Sequence, residues 1–334
     1  MKAIRLRKPA GLDQLYLSST EPRAPGPGEV RVRIHASSLN FHDYAVVTGL
    51  LPTADGVIPM SDAGGEVLEV GEGVRSLAVG DAVCSLFFPD WQGGRATREN
   101  TYAMPGDHTD GYARVEATVP ATAFTKAPAG YSHAEAATLC CAGLTAWRAL
   151  MVEGGLQAGD TVLVQGTGGV SIFALQFAKA VGATVIATTS SDEKMARLKA
   201  LGADHVINYK QDARWGLTAK EITGGHGVDH VVEVGGPGNL PQSVSALALG
   251  GRIALIGVLT GMAGEVPTAA LMQAQGRLQG LMVGSREHQV AMVRAIDATG
   301  IRPVIDSHFA LNNLADAFRH QASNRHFGKI CIDV

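Results

Sequence analysis

The chain has 334 residues, of which 46% are hydrophobic and 18% are charged, and its formal net charge at pH 7 is −3 with a pI of about 6.4. This length fits about two globular domains, and the weak negative charge excludes the basic surface by which proteins bind nucleic acid or anionic membranes. No apolar run reaches the ~20 residues of a membrane span. There is no hydrophobic signal core, and the four cysteines lack any CxxC spacing. We therefore expect a cytoplasmic protein with reduced thiols.

Short apolar segments separated by proline and glycine clusters dominate about the first 120 residues. The proline-rich run at 21–28 must be a connection, because proline removes a backbone donor and fixes φ. Strands are predicted at Lys2–Leu6, Val30–Ala36, Gly65–Val70 and Ala82–Phe88. These segments predict a mostly antiparallel, barrel-like first domain.

The hydrophobic period changes at about Ser132. Ser132 as an N-cap and Glu135 three residues later form a capping box that begins a predicted helix at 132–152. Strands and helices then alternate: Thr161–Gln165, 169–181, Thr184–Thr188, 191–201, His205–Ile207, Val228–Val234, 239–249 and Arg252–Val258. This alternation is typical of a parallel sheet with helices on both faces. Further predicted elements are a strand at Arg277–Gly284, a helix at 286–299, a strand near Val304, a helix at 312–322 and a last strand at Lys329–Val334.

The glycine turn after the first of these strands is the most informative segment. A buried strand at 161–165 meets the turn, and an apolar helix and a second strand follow at once. Glycine permits the tight bend and leaves room for a pyrophosphate to approach the backbone amides of a helix N-terminus. The segment therefore predicts a dinucleotide site that includes Gly166, Thr167, Gly168, Gly169 and Val170. An ordinary βαβ unit with a tight turn is the alternative.

The glycine-turn segment at 161–182 and six further segments, taken in order, resemble the medium-chain dehydrogenase/reductase superfamily over essentially the whole chain. The six further segments are APGPGEVRVRIHASSLNFHDY at 24–44, GGEVLEVGEGVRSLAVGDAV at 64–83, AATLCCAGLTAWRAL at 136–150, LGADHVINY at 201–209, GVDHVVEVGG at 227–236 and FGKICI at 327–332. The resemblance implies an α/β fold. A strand-rich, GroES-like catalytic domain at 1–124, to which 286–334 return, would precede a Rossmann domain with a doubly wound parallel sheet at 125–285. The zinc-independent, quinone-oxidoreductase-like branch looks most similar.

The resemblance also bears on zinc. Zinc-dependent relatives have a cysteine ligand at the position of Asn40. Their second ligand, a histidine followed by an acid, corresponds to Ser61 and Asp62. Only Cys141 falls at the place of one of their ligands, the third. Their structural-zinc segment carries four cysteines, and the segment at 90–112 carries none. A catalytic zinc needs about three N, S or carboxylate ligands, so no metal is expected. The alternative is a replacement set, which would consist of Asp62, Asp43, His42 and Cys141.

The end of the second Rossmann strand bears on the choice of nicotinamide cofactor. NAD-selective sites place an acid about 20 residues after the glycine turn, but residues 187–191 read ATTSS. We therefore expect NADPH (NADP) rather than NADH, with the 2′-phosphate near Thr189, Ser190 and Lys194. The resemblance adds Tyr209 near the adenine. Alternatively, Ser190 and Ser191 only cap the next helix and Lys194 is solvated.

Candidate residues for the chemistry come mainly from the resemblance, which implies that Asn40 and Thr145 contact the nicotinamide. Asn40 could instead be a turn residue and Thr145 a core residue. His42 could donate a proton to a nascent alkoxide or enolate, because an ordinary imidazole titrates near ambient pH; a structural histidine is the alternative. Further cofactor contacts are expected where other strands end, at Gly235, Gly257, Val258 and Ser285.

These expectations favour an NADPH-dependent, zinc-independent oxidoreductase that transfers a hydride to a quinone or an α,β-unsaturated carbonyl. One alternative is an alcohol dehydrogenase or ketone reductase of the same fold in which His42 relays a proton. Another is an NADPH-binding protein without turnover. A homodimer is expected, because the predicted strand Arg277–Gly284 would leave an exposed sheet edge.

Overall fold

The computed structural model describes residues 1–334 and divides them into two units. The first consists of Met1–Leu144 and Gly284–Val334, and the second is Thr145–Val283. None of the helices combines the length and the apolar character needed to cross a bilayer.

Fifteen strands and ten α-helices form the two units. The strands are β1 (Lys2–Leu6), β2 (Leu15–Ser19), β3 (Glu29–Ser38), β4 (Gly64–Val70), β5 (Ala82–Ser85), β6 (Glu116–Pro120), β7 (Phe124–Lys126), β8 (Thr161–Gln165), β9 (Thr184–Thr189), β10 (His205–Asn208), β11 (Val228–Glu233), β12 (Leu247–Leu255), β13 (Arg277–Gly280), β14 (Ile305–Ala310) and β15 (Lys329–Asp333). The helices are α1 (Phe41–Val47), α2 (His133–Ala137), α3 (Leu144–Trp147), α4 (Gly169–Val181), α5 (Asp192–Ala200), α6 (Trp215–Ile222), α7 (Leu240–Ala246), α8 (Thr268–Gln273), α9 (Arg286–Thr299) and α10 (Leu314–Ala322).

The first unit is organised around a seven-stranded sheet. Its order is β14-β15-β3-β4-β5-β7, and β6 pairs with the first residues of β3, Glu29–Arg33, whereas β15 pairs with its last residues. Every pair is antiparallel except β14 with β15. Side chains of β3 alternate, so Val30, Val32 and Ile34 enter a core that includes Tyr112 and Phe124. The predicted strand-rich, largely antiparallel first domain is confirmed.

The second unit contains a six-stranded parallel sheet. Its order, β10-β9-β8-β11-β12-β13, is the Rossmann order 3-2-1-4-5-6 counted from β8. The central strands are apolar throughout, since helices cover both faces of such a sheet: Val162, Leu163 and Val164 of β8 are fully buried. The chain order reverses between β8 and β11. This confirms the predicted doubly wound sheet.

The units divide at 144/145 and 283/284, whereas the sequence prediction put the boundaries at 124/125 and 285/286. Residues 125–144 group with the first unit because α2 packs directly against its sheet. A Cβ at Gly64 on β4 would lie 1.9 Å from the carbonyl oxygen of His133, so only glycine permits this approach. Ser38 Oγ also lies 3.4 Å from the Ala137 carbonyl oxygen.

Several elements differ from the sequence prediction. The capping box of Ser132 and Glu135 is present, but the helix predicted at 132–152 contains two π-helical turns, Leu139–Gly143 and Arg148–Val152. The helix predicted to reach 249 ends at Ala246, because β12 begins at Leu247 and pairs with β11. The helices α1, α6 and α8 were not predicted.

Candidate active site

The pairing of β15 with β3 brings Lys329 beside Asn40. Cys331 lies opposite Ser38 in this antiparallel pair, and the same register continued places residue 329 opposite residue 40. Lys329 Nζ donates to Asn40 Oδ1 and to the Leu39 carbonyl, each at 2.6 Å. The lysine is only 3% exposed. A buried ammonium group is costly unless it is paired, so these partners fix its position.

Asp62 supplies the carboxyl group of this cluster and is fully buried. Its Oδ2 accepts a hydrogen bond from Ser38 Oγ at 2.6 Å and lies 3.5 Å from Lys329 Nζ, whereas Oδ1 has no partner. Burial raises the pKa of Asp62 to about 6, although the Lys329 charge opposes the shift. We call Ser38, Asn40, Ser61, Asp62 and Lys329 the Asn40–Lys329 cluster.

Asn40 is the N-cap of α1 rather than an isolated turn residue. Its backbone N–H donates to Asp43 Oδ2 at 2.9 Å, and Asp43 Oδ1 accepts from the Ser61 N–H at 2.8 Å. A carboxylate in the first turn of a helix is favourable. The Asn40 side chain donates through Nδ2 to Ser61 Oγ at 3.3 Å. Both ends of the Asn40 amide are therefore held, and the Asn40 side chain also hydrogen-bonds Asp62, which lowers the pKa of that carboxyl group.

His42 lies in the first turn of α1 between two carboxylates. Its Nε2 is 3.4 Å from Asp107 Oδ2, its Nδ1 is 3.6 Å from Asp43 Oδ1, and its ring contacts Phe87 edge-on. The side chain is 12% exposed. Burial lowers the pKa of His42, but Asp107 and Asp43 together outweigh it and raise the pKa to about 9. The expected titration near neutrality is therefore replaced by an imidazolium at pH 7.

In the second unit, the glycine turn connects β8 to α4 as predicted. Gly166 has φ of +70°, a conformation that side chains disfavour. A Cβ at Gly166 or at Gly168 would meet no atom within 4 Å, so the space in front of the turn is open. Gly168 is the N-cap of α4 and makes no side-chain cap, and Gly169 is the first helical residue. The N-terminus of α4 thus adjoins open space, which a bound pyrophosphate requires.

Gln165 and Glu233, at the ends of β8 and β11, fix the neighbouring turn. Gln165 Nε2 donates to Glu233 Oε2 at 2.7 Å. Glu233 Oε1 accepts from the N–H groups of Gly235 and Gly236, both at 2.8 Å. Glu233 is fully buried. Since β8 and β11 flank the reversal of strand order, where doubly wound folds bind ligands, this network holds Gly235 beside the expected dinucleotide site.

The end of β9 carries the residues predicted to select the cofactor. Thr189 is buried and Ser190 is exposed. Ser191 is the N-cap of α5, and its hydroxyl accepts from the Lys194 N–H at 3.4 Å, so the predicted capping role is present. The nearest acid, Asp192, is the first residue of α5 and accepts from Asn208 Nδ2 at 2.7 Å. Tyr209, immediately after β10, is 41% exposed.

The remaining predicted cofactor contacts lie at strand ends or in a helix. Thr145 is a buried residue of α3 in the second unit. Gly257 follows β12, where a Cβ would lie 1.9 Å from the Val234 carbonyl oxygen, and Val258 is half-buried. Ser285 groups with the first unit instead, as the N-cap of α9, where its Oγ accepts from the His288 N–H at 3.3 Å.

Comparisons with known proteins agree with this architecture. Residues 26–129 match the family described as "Alcohol dehydrogenase GroES-like domain", and residues 169–298 match "Zinc-binding dehydrogenase". A zinc-type alcohol dehydrogenase-like protein of Schizosaccharomyces pombe is 41% identical over 97% of this chain and 96% of its own length. The chain belongs to the medium-chain dehydrogenase/reductase superfamily.

Two solved structures support the same membership. A putative alcohol dehydrogenase from Sinorhizobium meliloti 1021 superimposes with a TM-score of 0.92 at 39% identity, covering 100% of this chain and 99% of its own. A quinone oxidoreductase from Pseudomonas syringae pv. tomato DC3000 gives a TM-score of 0.84 at 27% identity, covering 100% and 99%. This medium-chain dehydrogenase/reductase is therefore an NAD(P)H-dependent oxidoreductase with both alcohol dehydrogenase-like and quinone oxidoreductase neighbours.

The description "Zinc-binding dehydrogenase" raises the question of whether the Asn40–Lys329 cluster fits a catalytic zinc ion. Zinc prefers thiolate, imidazole and carboxylate ligands. Asn40 and Ser61 offer an amide and a hydroxyl instead, and the Lys329 ammonium already lies 2.6 Å from the amide oxygen and 3.5 Å from the Asp62 carboxylate. A second cation there would meet a fixed positive charge. The cluster does not fit a catalytic zinc.

Sequence analysis missed Lys329 and Glu233 as site residues. Lys329 begins β15 and Glu233 ends β11, and in the sequence each adjoins buried apolar strand residues, in FGKICI and DHVVEVGG. Charged side chains are almost never fully buried unless they are paired. A charged residue beside buried apolar residues therefore indicates a buried polar network. Which side chains pair with Lys329 and Glu233, however, depends on strand pairing.

Proposed function

We propose that this enzyme is a zinc-independent, NADPH-dependent reductase of quinones or α,β-unsaturated carbonyls. The observation that carries the proposal is the Lys329 ammonium bonded to Asn40 Oδ1, at the position where zinc-dependent relatives have a ligand. A site without a Lewis acid favours conjugated acceptors, because these spread the developing charge better than a simple ketone does. The acceptor takes a hydride and a proton, and NADPH becomes NADP⁺.

Bound NADPH supplies the hydride, and the chain's own groups orient the acceptor and handle the charge. Beyond its bond to Ser61, the Asn40 side chain also hydrogen-bonds Asp62, and an acceptor oxygen would replace Asp62 as the partner of the second Nδ2 hydrogen. Because Lys329 draws electron density from Oδ1 of the same amide, Nδ2 becomes a stronger donor to an enolate or quinone oxygen. His42, protonated at pH 7, can then donate its proton to that oxygen. Asn40 and His42 are thus the candidate catalytic residues.

The cofactor assignment rests on two features of the second unit. The open space before Gly166 and Gly168 suits the pyrophosphate. The end of β9 carries the hydroxyls of Thr189 and Ser190, and the first acids after it, Asp192 and Glu193, belong to the first turn of α5 rather than to the strand end. We propose that the 2′-phosphate contacts Thr189, Ser190 and Lys194. We likewise propose Thr145, Tyr209, Gly257, Val258 and Ser285 as further cofactor contacts.

The proposal is tested on chelator-treated protein with NADPH and with NADH. We expect enone and quinone reduction to persist without metal and to exceed secondary-alcohol oxidation. Activity that disappears with the metal, and returns when zinc is restored, would contradict the proposal. The variants Lys329→Met and Lys329→Arg then separate the charge of residue 329 from its shape.

A ketone reductase is the second candidate, because the raised pKa of His42 provides an acid at neutral pH. In that case His42→Ala should lower ketone turnover by about 10²-fold or more and abolish a decline of kcat above about pH 9. For enone reduction we expect a larger loss from Asn40→Ala than from His42→Ala, since water can also protonate an enolate. The reverse order would favour the ketone reductase.

A further inference from the structure

Three potential metal ligands meet at the junction of β3, β4 and α2. His35 belongs to β3, Glu66 to β4, and His133 is the first residue of α2. Their ligand atoms all lie within 4.8 Å of one another. The two imidazole rings are stacked with their centroids 4.3 Å apart and their planes at 14°. None of the three residues belongs to the Asn40–Lys329 cluster.

The local fold brings these side chains together in two ways. Ile34 pairs with Gly65 and Ala36 with Gly64, so His35 is the extra residue of a β-bulge in β3. Bulges re-aim a side chain and are frequent beside functional sites. On the other side, Gly64 permits the first turn of α2 to rest on β4, since a Cβ there would collide with the His133 carbonyl oxygen. The two histidines therefore face each other beside Glu66.

His35 has a buried ring nitrogen without a hydrogen-bond partner. His35 Nε2 is buried and has no partner, although buried polar atoms are nearly always paired. The His133 ring has a hydrogen bond to the Gly65 backbone, the kind of contact that orients a metal-bound imidazole from behind. Arg33, the cross-strand neighbour of Glu66, forms its ion pair with Glu116 at 3.5 Å instead. The carboxylate of Glu66 thus remains available.

We propose that His35, Glu66 and His133 bind one divalent transition-metal ion, with Zn²⁺ as the reference ion. Two imidazoles and one carboxylate are a known zinc ligand set, and they leave a position for water. Zn–N distances of about 2.0–2.1 Å put tetrahedral ligand atoms roughly 3.4 Å apart. Closing the site therefore requires side-chain rotations that unstack the two rings, so that their in-plane lone pairs converge, and shift the donor atoms by about 1 Å. Co²⁺ and Ni²⁺ suit the same donors.

The test uses the full-length protein after dialysis against a chelator, with Zn²⁺ titrated by calorimetry and Co²⁺ by visible absorption. We expect one ion per chain. His35→Ala and His133→Ala should each weaken binding by at least 10-fold, and Glu66→Gln by a smaller factor. His308→Ala is the matched control, because His308 also pairs with a carboxylate, Asp333, but lies outside the cluster.

Circular dichroism and thermal melts decide whether each variant is folded. Added Zn²⁺ should raise the melting temperature of the native chain and of His308→Ala but not that of the cluster variants. If an alanine variant fails to fold, His35→Gln, which keeps a polar side chain, replaces it. Substoichiometric binding to the native chain, or equal affinity in the native chain and the cluster variants, would overturn the proposal. Since enone reduction is measured separately on the same variants, failure here leaves the proposed function unaffected.

Discussion

At the scale of single residues, the first unit places five ionisable groups in a small buried region around Asn40. Lys329 and Asp62 form one pair, and His42 lies between Asp43 and Asp107. Truncating one partner of a buried pair leaves the other uncompensated, which costs more than the pair itself contributes. Stability and chemistry should therefore both respond to changes at these positions.

The first prediction concerns the Lys329–Asp62 pair. Lys329→Met should destabilise the protein by about 3–5 kcal/mol at pH 8, because it leaves the Asp62 carboxylate buried without a cation. The loss should be smaller at pH 5, since the pKa of Asp62 is already raised to about 6 and rises further without Lys329. Urea denaturation at both pH values measures this. The double variant Asp62→Asn/Lys329→Met should recover part of the loss, and a loss independent of pH would contradict the argument.

The second prediction concerns the pH dependence that His42 produces. Its folded-state pKa of about 9 exceeds the ordinary value of 6.5, so its stabilising contribution is complete below pH 6.5 and is lost as the pH rises through about 9. The contribution amounts to about 3 kcal/mol. Urea denaturation between pH 6 and pH 10 should show a steeper fall for the native chain than for His42→Asn. Parallel curves for the two proteins would show that His42 is not the group responsible.

Cofactor selection is the third prediction. Lys194→Ala should weaken NADPH by ~1–3 kcal/mol, the value of a charged hydrogen bond, and change NADH affinity little, because only NADPH carries the 2′-phosphate. Fluorescence titration with both cofactors measures the difference. Lys199→Ala on the same helix is the matched control. Equal losses for NADPH and NADH would exclude a 2′-phosphate contact.

At the scale of elements, the junction of β8 and α4 is the part of the fold that a dinucleotide uses most directly. Gly166 needs its left-handed backbone, whereas Gly168 has an ordinary φ of −75°. These two glycines can therefore be distinguished by substitution, because only the first combines backbone strain with the open space in front of the turn.

The fourth prediction follows from this difference. Gly168→Ala should leave the free energy of unfolding nearly unchanged, since the new methyl group meets no protein atom within 4 Å. It should nevertheless weaken NADPH, because the methyl group occupies the space assigned to the pyrophosphate. Gly166→Ala should lose stability by about 1 kcal/mol as well, owing to its φ of +70°. Unchanged NADPH affinity in Gly168→Ala would place the pyrophosphate elsewhere.

At the scale of the whole molecule, the Rossmann sheet ends in β13, an edge strand. Its residues are half-buried or exposed, and Met282 just beyond it is 57% exposed. Unpaired strand edges favour pairing with another chain, and a twofold partner satisfies both edges at once. We propose that the protein is a homodimer through β13.

The fifth prediction tests this assembly. Light scattering at micromolar concentration should give twice the 34.8 kDa mass of the chain. Met282→Glu should shift the equilibrium toward the monomer, because it places a charge beside the proposed interface. Met262→Glu, at a methionine that is 84% exposed, is the control and should not. A monomeric native chain would contradict the proposal.

The sequence by itself determined the features that depend on local pattern. The alternation of strands and helices after residue 160, the glycine turn at 166–169 and the capping box of Ser132 and Glu135 are all present. The hydrophobic period, the backbone freedom of glycine and side-chain caps each depend on a few neighbouring residues. The amino-acid sequence alone is therefore sufficient to predict them. Helix α1 was missed because it is only seven residues long and begins inside a segment dominated by strand signals.

Tertiary structure alone decided the chemistry of the candidate site. The register of β15 on β3 brings Lys329 to Asn40, which is 289 positions away, and the approach of Asp107 to His42 reverses the effect of burial on that imidazole's pKa. The bulge at His35 and the packing of α2 on Gly64 likewise create the His35–Glu66–His133 cluster. Strand register and burial depend on contacts between distant segments, and a pKa depends on both, so no local pattern in the sequence could have specified them.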